Sequence, residues 1–330
     1  MPTSTRSSRK HVWQPDTPVR IGISSCLLGQ NVRWDGGHKR DAYLVGTLGP
    51  FVEWVAVCPE VEMGLGVPRD TLRLERRDGG LRLIMTATGT DHTDAMRAWA
   101  SRRLRAIEKA DLSGYVLKKG SPSCGMERVR VYSASGTPAK TGRGTFAEAL
   151  IESFPLLPVE EEGRLADLRL RESFVERVFA YRRLRDFFAA RWTVGGLVAF
   201  HTAHKLQLMA HAPVGYARLG RLVARAKGAA RAEVEAEYAL DFMRTLAVSA
   251  TARRHTNVLQ HMLGYVTREL PPAERQELVA IIEDYRQGLV PLIVPITLLR
   301  HHVSRLGVAY LQGQTYLEPH PKELMLRNHV

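Results

Sequence analysis

The three cysteines are the residues of this sequence whose type and placement most clearly suggest chemistry. Cys26, Cys58 and Cys124 each come soon after a short apolar run, and Gly, Pro or Ser residues mark the turns around them. Such runs are typical of buried strands that end in loops. Because the loops at the carboxyl ends of parallel strands share one edge of a sheet, we predict that the three thiols converge there.

The number and spacing of the cysteines limit the chemistry but leave several alternatives. Three widely and unequally spaced thiols do not suit a disulfide framework, and they are one ligand short of a closed zinc site. A lone core cysteine or one catalytic thiol paired with histidine would each explain a single position. Zinc with an open position is another alternative, although the paired motifs of zinc deaminases are missing. An iron–sulfur cluster tolerates this spacing and leaves one position for substrate.

The elements that must position these thiols belong to the first half of the chain. Apolar strand-like runs alternate there with helical patterns, most clearly over 91–110, where Thr90 or Asp91 can cap a helix. This alternation predicts an α/β Rossmann-like domain with a parallel sheet over residues 19–155. Residues 1–18, rich in Ser, Thr, Arg and Pro, are predicted to form a disordered arm.

Long amphipathic segments fill the second half of the chain. They indicate an all-α domain over residues 156–330. Its helices are predicted at 160–190, 195–211, 214–228, 231–249, 252–269 and 272–288. No long uncharged apolar span and no signal peptide is recognisable. The chain is therefore expected in the cytoplasm, without a membrane partner.

The charge of the chain favours a polyanionic partner. Its 47 Lys and Arg residues and 34 Asp and Glu residues give a formal charge of +13, which suits nucleic acid. Basic and aromatic residues alternate along the second-half helices, and RNA contacts are predicted for Lys205, Arg218 and Arg221. A solvated basic face is the alternative. No carboxylate completes a metal site with His201, His204 and His211, so a structural or phosphate-contacting role is expected for them.

Several motifs, taken in order, resemble the signature of the thiouracil desulfidase family. They are Ser24–Gly29, Val32–Gly37, Cys58–Val61, Gly64–Arg69, Lys118–Gly125 and Thr141–Phe146. The resemblance covers about residues 19–150. It implies an α/β domain in which Cys26, Cys58 and Cys124 hold a [4Fe–4S] cluster, with the fourth iron free to take sulfur from a thiolated pyrimidine.

The second half resembles the helical domain that is fused to this desulfidase domain in bacteria. The similar segments are His204–His211, Tyr216–Ala224, Asn257–Tyr265, Gly288–Pro295 and Gln314–Pro321. Such fusions resemble tRNA 4-thiouridine desulfidases, which implies that 4-thiouridine in tRNA is converted to uridine with release of sulfide. A desulfidase of free thiouracil and a non-enzymatic iron–sulfur RNA-binding sensor are the alternatives. No obligatory protein partner is inferred.

Desulfuration by such an enzyme needs a group that activates water and groups that hold the substrate. Glu60 is predicted to act as the base or proton carrier, or else to be a carboxylate stabilised at a helix N-terminus. Ser121 is predicted to hydrogen-bond substrate or water, with Ser123 as the competing residue and an ordinary turn serine as the alternative. Lys118 and Lys119 are predicted to neutralise the cluster or contact phosphate. The predicted reaction is a hydrolysis without net redox change.

Overall fold

The computed structural model describes residues 18–77, 79–133 and 135–329. Apart from Pro18, the disordered arm predicted over residues 1–18 lies outside the described residues. Within them, an α/β half is followed by a largely helical half, as predicted. None of the helices in these three ranges has the length and apolar character needed to cross a membrane.

A parallel sheet forms the centre of the first half. The strands of this half are β1 (Arg20–Ser24), β2 (Glu53–Val57), β3 (Leu72–Arg77), β4 (Gly80–Met85), β5 (Gly114–Leu117), β6 (Val129–Tyr132), β7 (Pro138–Gly142) and β8 (Val159–Glu161). Four of them pair in parallel in the order β2-β1-β5-β8. Because β2 and β5 flank β1 on opposite sides, the carboxyl end of β1 is the topological switch point where such sheets bind ligands.

A second, mixed sheet was not predicted from the sequence. Its strands lie in the order β4-β3-β6-β7, with β3 and β6 parallel and the two outer pairs antiparallel. One face is buried, since Leu74 of β3 and Val131 of β6 belong to the same core as the neighbouring helices. Leu72, Arg73 and Leu74 show the alternation typical of a half-buried strand, so a local signal for this sheet was present.

Three helices complete the α/β half. They are α1 (Pro59–Glu62), α2 (Thr93–Lys109) and α3 (Thr145–Ser153). The predicted helix over 91–110 corresponds to α2, and the Asp91 carboxylate accepts the backbone N–H of Thr93 at 2.8 Å. Asp91 therefore satisfies one of the free amides at the start of α2, although the N-cap residue is His92 and not the predicted Thr90 or Asp91.

The second half is built from successive helices. They are α4 (Leu168–Ala189), α5 (Val194–His211), α6 (Pro213–Arg225), α7 (Arg231–Ala247), α8 (Ala252–Val266), α9 (Pro272–Arg286), α10 (Ile293–Arg305) and α11 (Ala309–Gln312). The six predicted helices match α4 to α9. The largest error is at the start of α4, which begins after β8 because the Asp167 carboxylate caps it by accepting the amides of Arg169 and Leu170.

Helix α4 joins the two halves of the protein. Its Phe174 and Val178 are buried in one core with Ile21 and Ile23 of β1. Gly114 of β5 allows this contact, because a Cβ atom at that position would lie 2.6 Å from Val178 Cγ2. The domain boundary near residue 155 stays a prediction, and the helix that follows it packs directly on the parallel sheet.

Buried histidines make the helical half sensitive to acid. Burial lowers the pKa of His204 and of His255 to about 3 and that of His320 to about 4. Unfolding returns each imidazole to its ordinary pKa of about 6.5. These pKa values are lower in the folded state, so the stability they confer is complete above pH 6.5 and is lost as pH falls toward the folded values.

The free energy of unfolding is therefore expected to fall as pH drops below about 6.5. Each such histidine binds one more proton in the unfolded state, which contributes a slope of about 1.4 kcal/mol per pH unit. Urea unfolding at several pH values measures this slope. His255→Gln should reduce the slope by the contribution of one proton, about 1.4 kcal/mol per pH unit. The same change at exposed His301 should leave the slope unaltered. Equal slopes in both variants would contradict the assignment.

Candidate active site

The carboxyl ends of three adjacent strands open into one cavity of about 240 Å³. Cys26 lies in the short turn after β1, Cys58 directly follows β2, and Cys124 lies in the loop after β5. All three side chains line this cavity. The structure thus brings the cysteines together at the switch point, as their positions after apolar runs predicted.

Burial determines the ionisation of the free thiols. It raises the pKa of Cys26 to about 11, an effect that the charge of Lys118 partly offsets. Burial likewise raises the pKa of Cys58 and of Cys124. Of the residues that the structure describes, no histidine lines the cavity. These surroundings do not activate a thiol, so a thiol–histidine mechanism has no support here.

The arrangement of the thiols suits a multi-iron group better than a single ion. In the part of the chain with described coordinates, no three His, Cys, Asp or Glu side chains form a group that could hold one metal ion. A four-iron cluster binds each thiolate through a different iron, so its ligands surround a space. Three cysteines around one cavity, in a chain with no fourth cysteine, fit such a cluster with one iron left open.

Glu60 reaches the cavity from the start of α1. Pro59 occupies the first turn, and the Glu62 carboxylate accepts the backbone N–H of Cys58 at 3.1 Å, both of which favour a helix start at this point. Glu60 Oε2 accepts hydrogen bonds from Arg69, and Oε1 accepts the hydroxyl of Ser123 at 2.9 Å. The carboxylate is therefore held in one orientation beside the thiols.

Arg69 positions Glu60, a role that the sequence reasoning missed. Its Nε and Nη2 atoms lie 3.0 and 2.7 Å from Glu60 Oε2. Nη2 also donates to the carbonyl of Val32, and the Arg69 N–H donates to the carbonyl of Trp34. Only 5% of the side chain is exposed. Arg69 thus ties the loop that carries Trp34 to the Glu60 carboxylate. Its place at the end of a family motif was the available signal.

The two candidate serines have different surroundings. Ser121 lines the cavity, and its hydroxyl oxygen accepts the backbone N–H groups of Ser123 and Cys124 at 3.2 and 3.1 Å. Ser123 is fully buried and donates to Glu60. Ser121 therefore shapes the turn that presents Cys124 while facing the cavity, and Ser123 orients the carboxylate.

The start of α3 supports the loop that carries Cys124. The N–H groups of Phe146 and Ala147 donate to the Ser123 carbonyl at 3.0 and 3.2 Å. Gly144 allows the close approach, because a Cβ atom there would lie 2.6 Å from the carbonyl carbon of Ser123. This contact explains why the motif around residues 141–146 contains glycine at that position.

Lys118 and Lys119 differ in whether a carboxylate compensates their positive charge. The Lys118 ammonium pairs with the carboxylate of Glu162, which also accepts the backbone N–H of Lys119 at 2.7 Å. Glu162 was not predicted from the sequence. The Lys119 side chain is exposed and has no ion pair with any described residue. Of the two predicted phosphate contacts, Lys119 is therefore the one with an uncompensated charge.

Two side chains from the loop after β1 line the cavity close to its opening. Trp34 lines it and is 45% exposed. Arg33 also lines it and lies 3.4 Å from Asp35. An exposed indole at a site mouth offers a flat surface on which a ring can stack.

Three further residues predicted to contact RNA, Lys205, Arg218 and Arg221, lie on the helical half, apart from this cavity. Arg218 Nε lies 2.6 Å from Asp241, which compensates its charge in part. Arg221 is exposed, and no carboxylate of the described chain pairs with it. Lys205 lies against the ring of Tyr310.

Sequence families match both halves of the chain. Residues 21–162 match the family described as 2-thiouracil desulfurase, and residues 205–321 match a protein family of unknown function, DUF1722. The fold and cavity thus define a desulfurase-type α/β domain joined to a helical domain. The chain belongs to the 2-thiouracil desulfurase family.

Individual relatives cover about half of the chain each. The uncharacterised protein YbgA of Escherichia coli K12 is 33% identical over 161 residues, which are 48% of this chain and 95% of YbgA. The uncharacterised protein YbbK of Bacillus subtilis 168 is 31% identical over 135 residues, which are 39% of this chain and 88% of YbbK.

One solved relative bears a functional description. It is a [4Fe–4S]-dependent thiouracil desulfidase, TudS, with 32% sequence identity and a TM-score of 0.37, and the match covers 48% of this chain and 99% of TudS.

Proposed function

We propose that this protein is a [4Fe–4S]-dependent desulfidase that converts 4-thiouridine in tRNA to uridine. The observation that carries the proposal is the convergence of Cys26, Cys58 and Cys124 on one cavity, with the Glu60 carboxylate fixed beside them. Membership of the 2-thiouracil desulfurase family supports a thiolated pyrimidine as substrate. A [4Fe–4S] cluster held by Cys26, Cys58 and Cys124 would supply a Lewis acid with one open site for the thiocarbonyl sulfur.

Glu60 supplies the base in this proposal. Water must lose a proton as it attacks the pyrimidine carbon, and a carboxylate beside the cavity is placed to take it. Oε1 is the oxygen available, because Oε2 accepts two donors of Arg69 while Oε1 accepts only the Ser123 hydroxyl among the described residues. Overall, the C–S bond breaks, a C–O bond forms from water, and sulfide leaves, so no electrons are exchanged.

Ser121 and Trp34 hold the base in this proposal. The Ser121 hydroxyl faces the cavity and keeps its own proton for donation, since its known contacts use only the oxygen as acceptor. Trp34 presents its exposed ring at the mouth, where a pyrimidine can stack. Together they orient the base for attack by water.

Charge favours the polymer over the free base. The formal charge of +13 and the unpaired cations at Lys119 and Arg221 suit a polyphosphate backbone. Free thiouracil is the second candidate, supported by the description of the matching family. The sensor alternative does not account for Glu60 beside an open position. We place the reaction in the cytoplasm, where unpaired thiols such as these three stay reduced.

Turnover of the two substrates distinguishes these candidates. Anaerobically reconstituted full-length protein is assayed with 4-thiouridine tRNA and with free 4-thiouracil, and kcat/KM is compared. We expect kcat/KM to be at least about tenfold higher for tRNA, equivalent to about 1.4 kcal/mol of extra transition-state binding. Trp34→Ala should lower kcat/KM for both substrates, whereas Val279→Ala, at an exposed position of α9, should lower neither. Faster turnover of free thiouracil would favour the second candidate.

A further inference from the structure

A group of aromatic and basic side chains on the helical half has no part in the proposed chemistry. It is called the Lys205 cluster here. Its members are His201 and Lys205 of α5, Tyr216 of α6, His261 and Tyr265 of α8, and Tyr310 of α11. Helices that are far apart in sequence therefore bring several aromatic rings together around the Lys205 ammonium.

The rings of the Lys205 cluster contact one another in pairs. His201 and Tyr216 are nearly parallel, at 4° with centroids 5.2 Å apart, and Tyr265 and Tyr310 stack with centroids 4.9 Å apart. The His261 ring lies 5.4 Å from Tyr265. Tyr265 remains 39% exposed. The protein thus holds Tyr265 against other rings while leaving part of it available for stacking.

Lys205 is an uncompensated positive charge within this cluster. Its Nζ atom lies 5.8 Å from the centroid of the Tyr310 ring. Burial and then the charge of Lys205 lower the pKa of both His201 and His261, so the ammonium lies within electrostatic range of both imidazoles. No carboxylate of the described chain forms an ion pair with Lys205. A lysine in such surroundings attracts an anion.

Both histidines of the cluster have a ring nitrogen without a hydrogen-bond partner. The Nε2 atoms of His201 and His261 are buried, and no described residue bonds to either of them. Buried polar atoms are nearly always paired in folded proteins, and an unpaired one is costly. The cluster is therefore incomplete with the protein's own groups.

The helix surface beside Tyr265 is open. Gly264 lies within α8, and a Cβ atom at this position would meet no other atom within 4 Å. Internal packing does not require glycine there, although glycine costs about 1 kcal/mol relative to alanine inside a helix. A smooth surface next to an exposed ring allows the backbone of an external chain to approach closely.

We propose that the Lys205 cluster binds an unstacked nucleotide of tRNA, with a phosphate beside Lys205 and a base stacked on Tyr265. A flat exposed ring next to an unpaired cation matches the two parts of a single-stranded nucleotide. This inference rests on the proposed function, because it names the surface that holds the substrate away from the active site. A protein partner would require an apolar contact larger than the one exposed ring of Tyr265. Unaltered tRNA binding by the variants below would favour such a partner over RNA.

Binding of unmodified tRNA by the full-length cluster-containing protein tests this site independently of catalysis. Fluorescence anisotropy gives the dissociation constant at several salt concentrations. Tyr265→Ala should weaken binding about tenfold, since stacking of one base contributes about 1–3 kcal/mol, and Tyr265→Phe should restore it. Lys205→Gln should weaken binding and reduce the salt-dependence slope by about one. Lys140→Gln, an exposed change on the α/β half, is the matched control.

The outcomes separate this proposal from the proposed function. Both variants should turn over free 4-thiouracil as the unaltered protein does, which shows that they are folded. If the unaltered protein binds and desulfurates tRNA but Tyr265→Ala and Lys205→Gln bind equally well, the Lys205 cluster is not the site and the proposed function stands. If the unaltered protein neither binds nor desulfurates tRNA, the tRNA assignment itself fails.

Discussion

Replacing Cys58 with alanine is expected to abolish both the broad visible absorbance of anaerobically prepared protein and its desulfidase activity. The same result is expected for Cys26→Ala and Cys124→Ala, because the three thiols line one cavity and the chain has no other cysteine. A [4Fe–4S] cluster with only three protein ligands is expected to be lost when one of the three is removed, because two thiolates do not hold it. Absorbance spectra and iron and sulfide analysis of each variant measure the effect.

Ser25→Ala is the matched control for the cysteine variants. Ser25 is buried next to Cys26, yet it supplies no thiolate, so this variant should keep the absorbance and the activity. Circular dichroism should show the same helix content in all four variants. An alanine variant with full absorbance would remove that cysteine from the ligand set. Stoichiometric zinc with full activity would overturn the iron–sulfur assignment.

Glu60→Gln should retain the cluster and tRNA binding but lose turnover by about a hundredfold to ten-thousandfold, the range for general acid–base groups. The amide fits the same contacts, since its oxygen can accept from Arg69 and its NH₂ group can donate to the Ser123 hydroxyl. What the substitution removes is the proton acceptor. Steady-state kcat under anaerobic conditions, measured beside the visible spectrum, isolates the loss to the chemical step.

Glu62→Gln provides the comparison on the same helix. Glu62 accepts the Cys58 amide and pairs with Arg103 at 3.1 Å, and its amide retains an acceptor oxygen, so activity should stay within a few-fold of the unaltered protein. Ser123→Ala should reduce kcat less than Glu60→Gln, because it removes one contact to the carboxylate and not the base. Full activity of Glu60→Gln would exclude Glu60 as the base.

The parts of the site that follow strand ends were accessible from the sequence. Apolar runs before Cys26, Cys58 and Cys124 predicted parallel strands, and parallel strands place their following loops at one edge whatever the details of packing. The helices α4 to α9 were equally accessible, because their apolar periodicity persists over several turns. The ends of the helices were harder to predict. Helix α4 begins later in the chain than predicted, because β8 and the Asp167 cap precede it.

The parts that depend on long-range contacts were not accessible. Nothing in the sequence pairs Arg69 with Glu60, or Glu162 with Lys118, since these contacts arise only when separate loops meet. The roles of Ser121 and Ser123 depend on which way each hydroxyl faces. The mixed sheet of β3, β4, β6 and β7 was missed because short strands separated by variable loops give weak signals that tertiary packing then reinforces.

The product of one anaerobic reaction tests the central claim most directly. Full-length protein with its cluster is incubated with 4-thiouridine tRNA in water labelled with heavy oxygen, without ATP and without an electron donor, and the nucleosides are analysed by mass spectrometry. We expect many turnovers, loss of 4-thiouridine matched by uridine that carries one labelled oxygen, and an equal amount of sulfide. Unchanged 4-thiouridine, or turnover that stops unless an electron donor is supplied in stoichiometric amount, would contradict it.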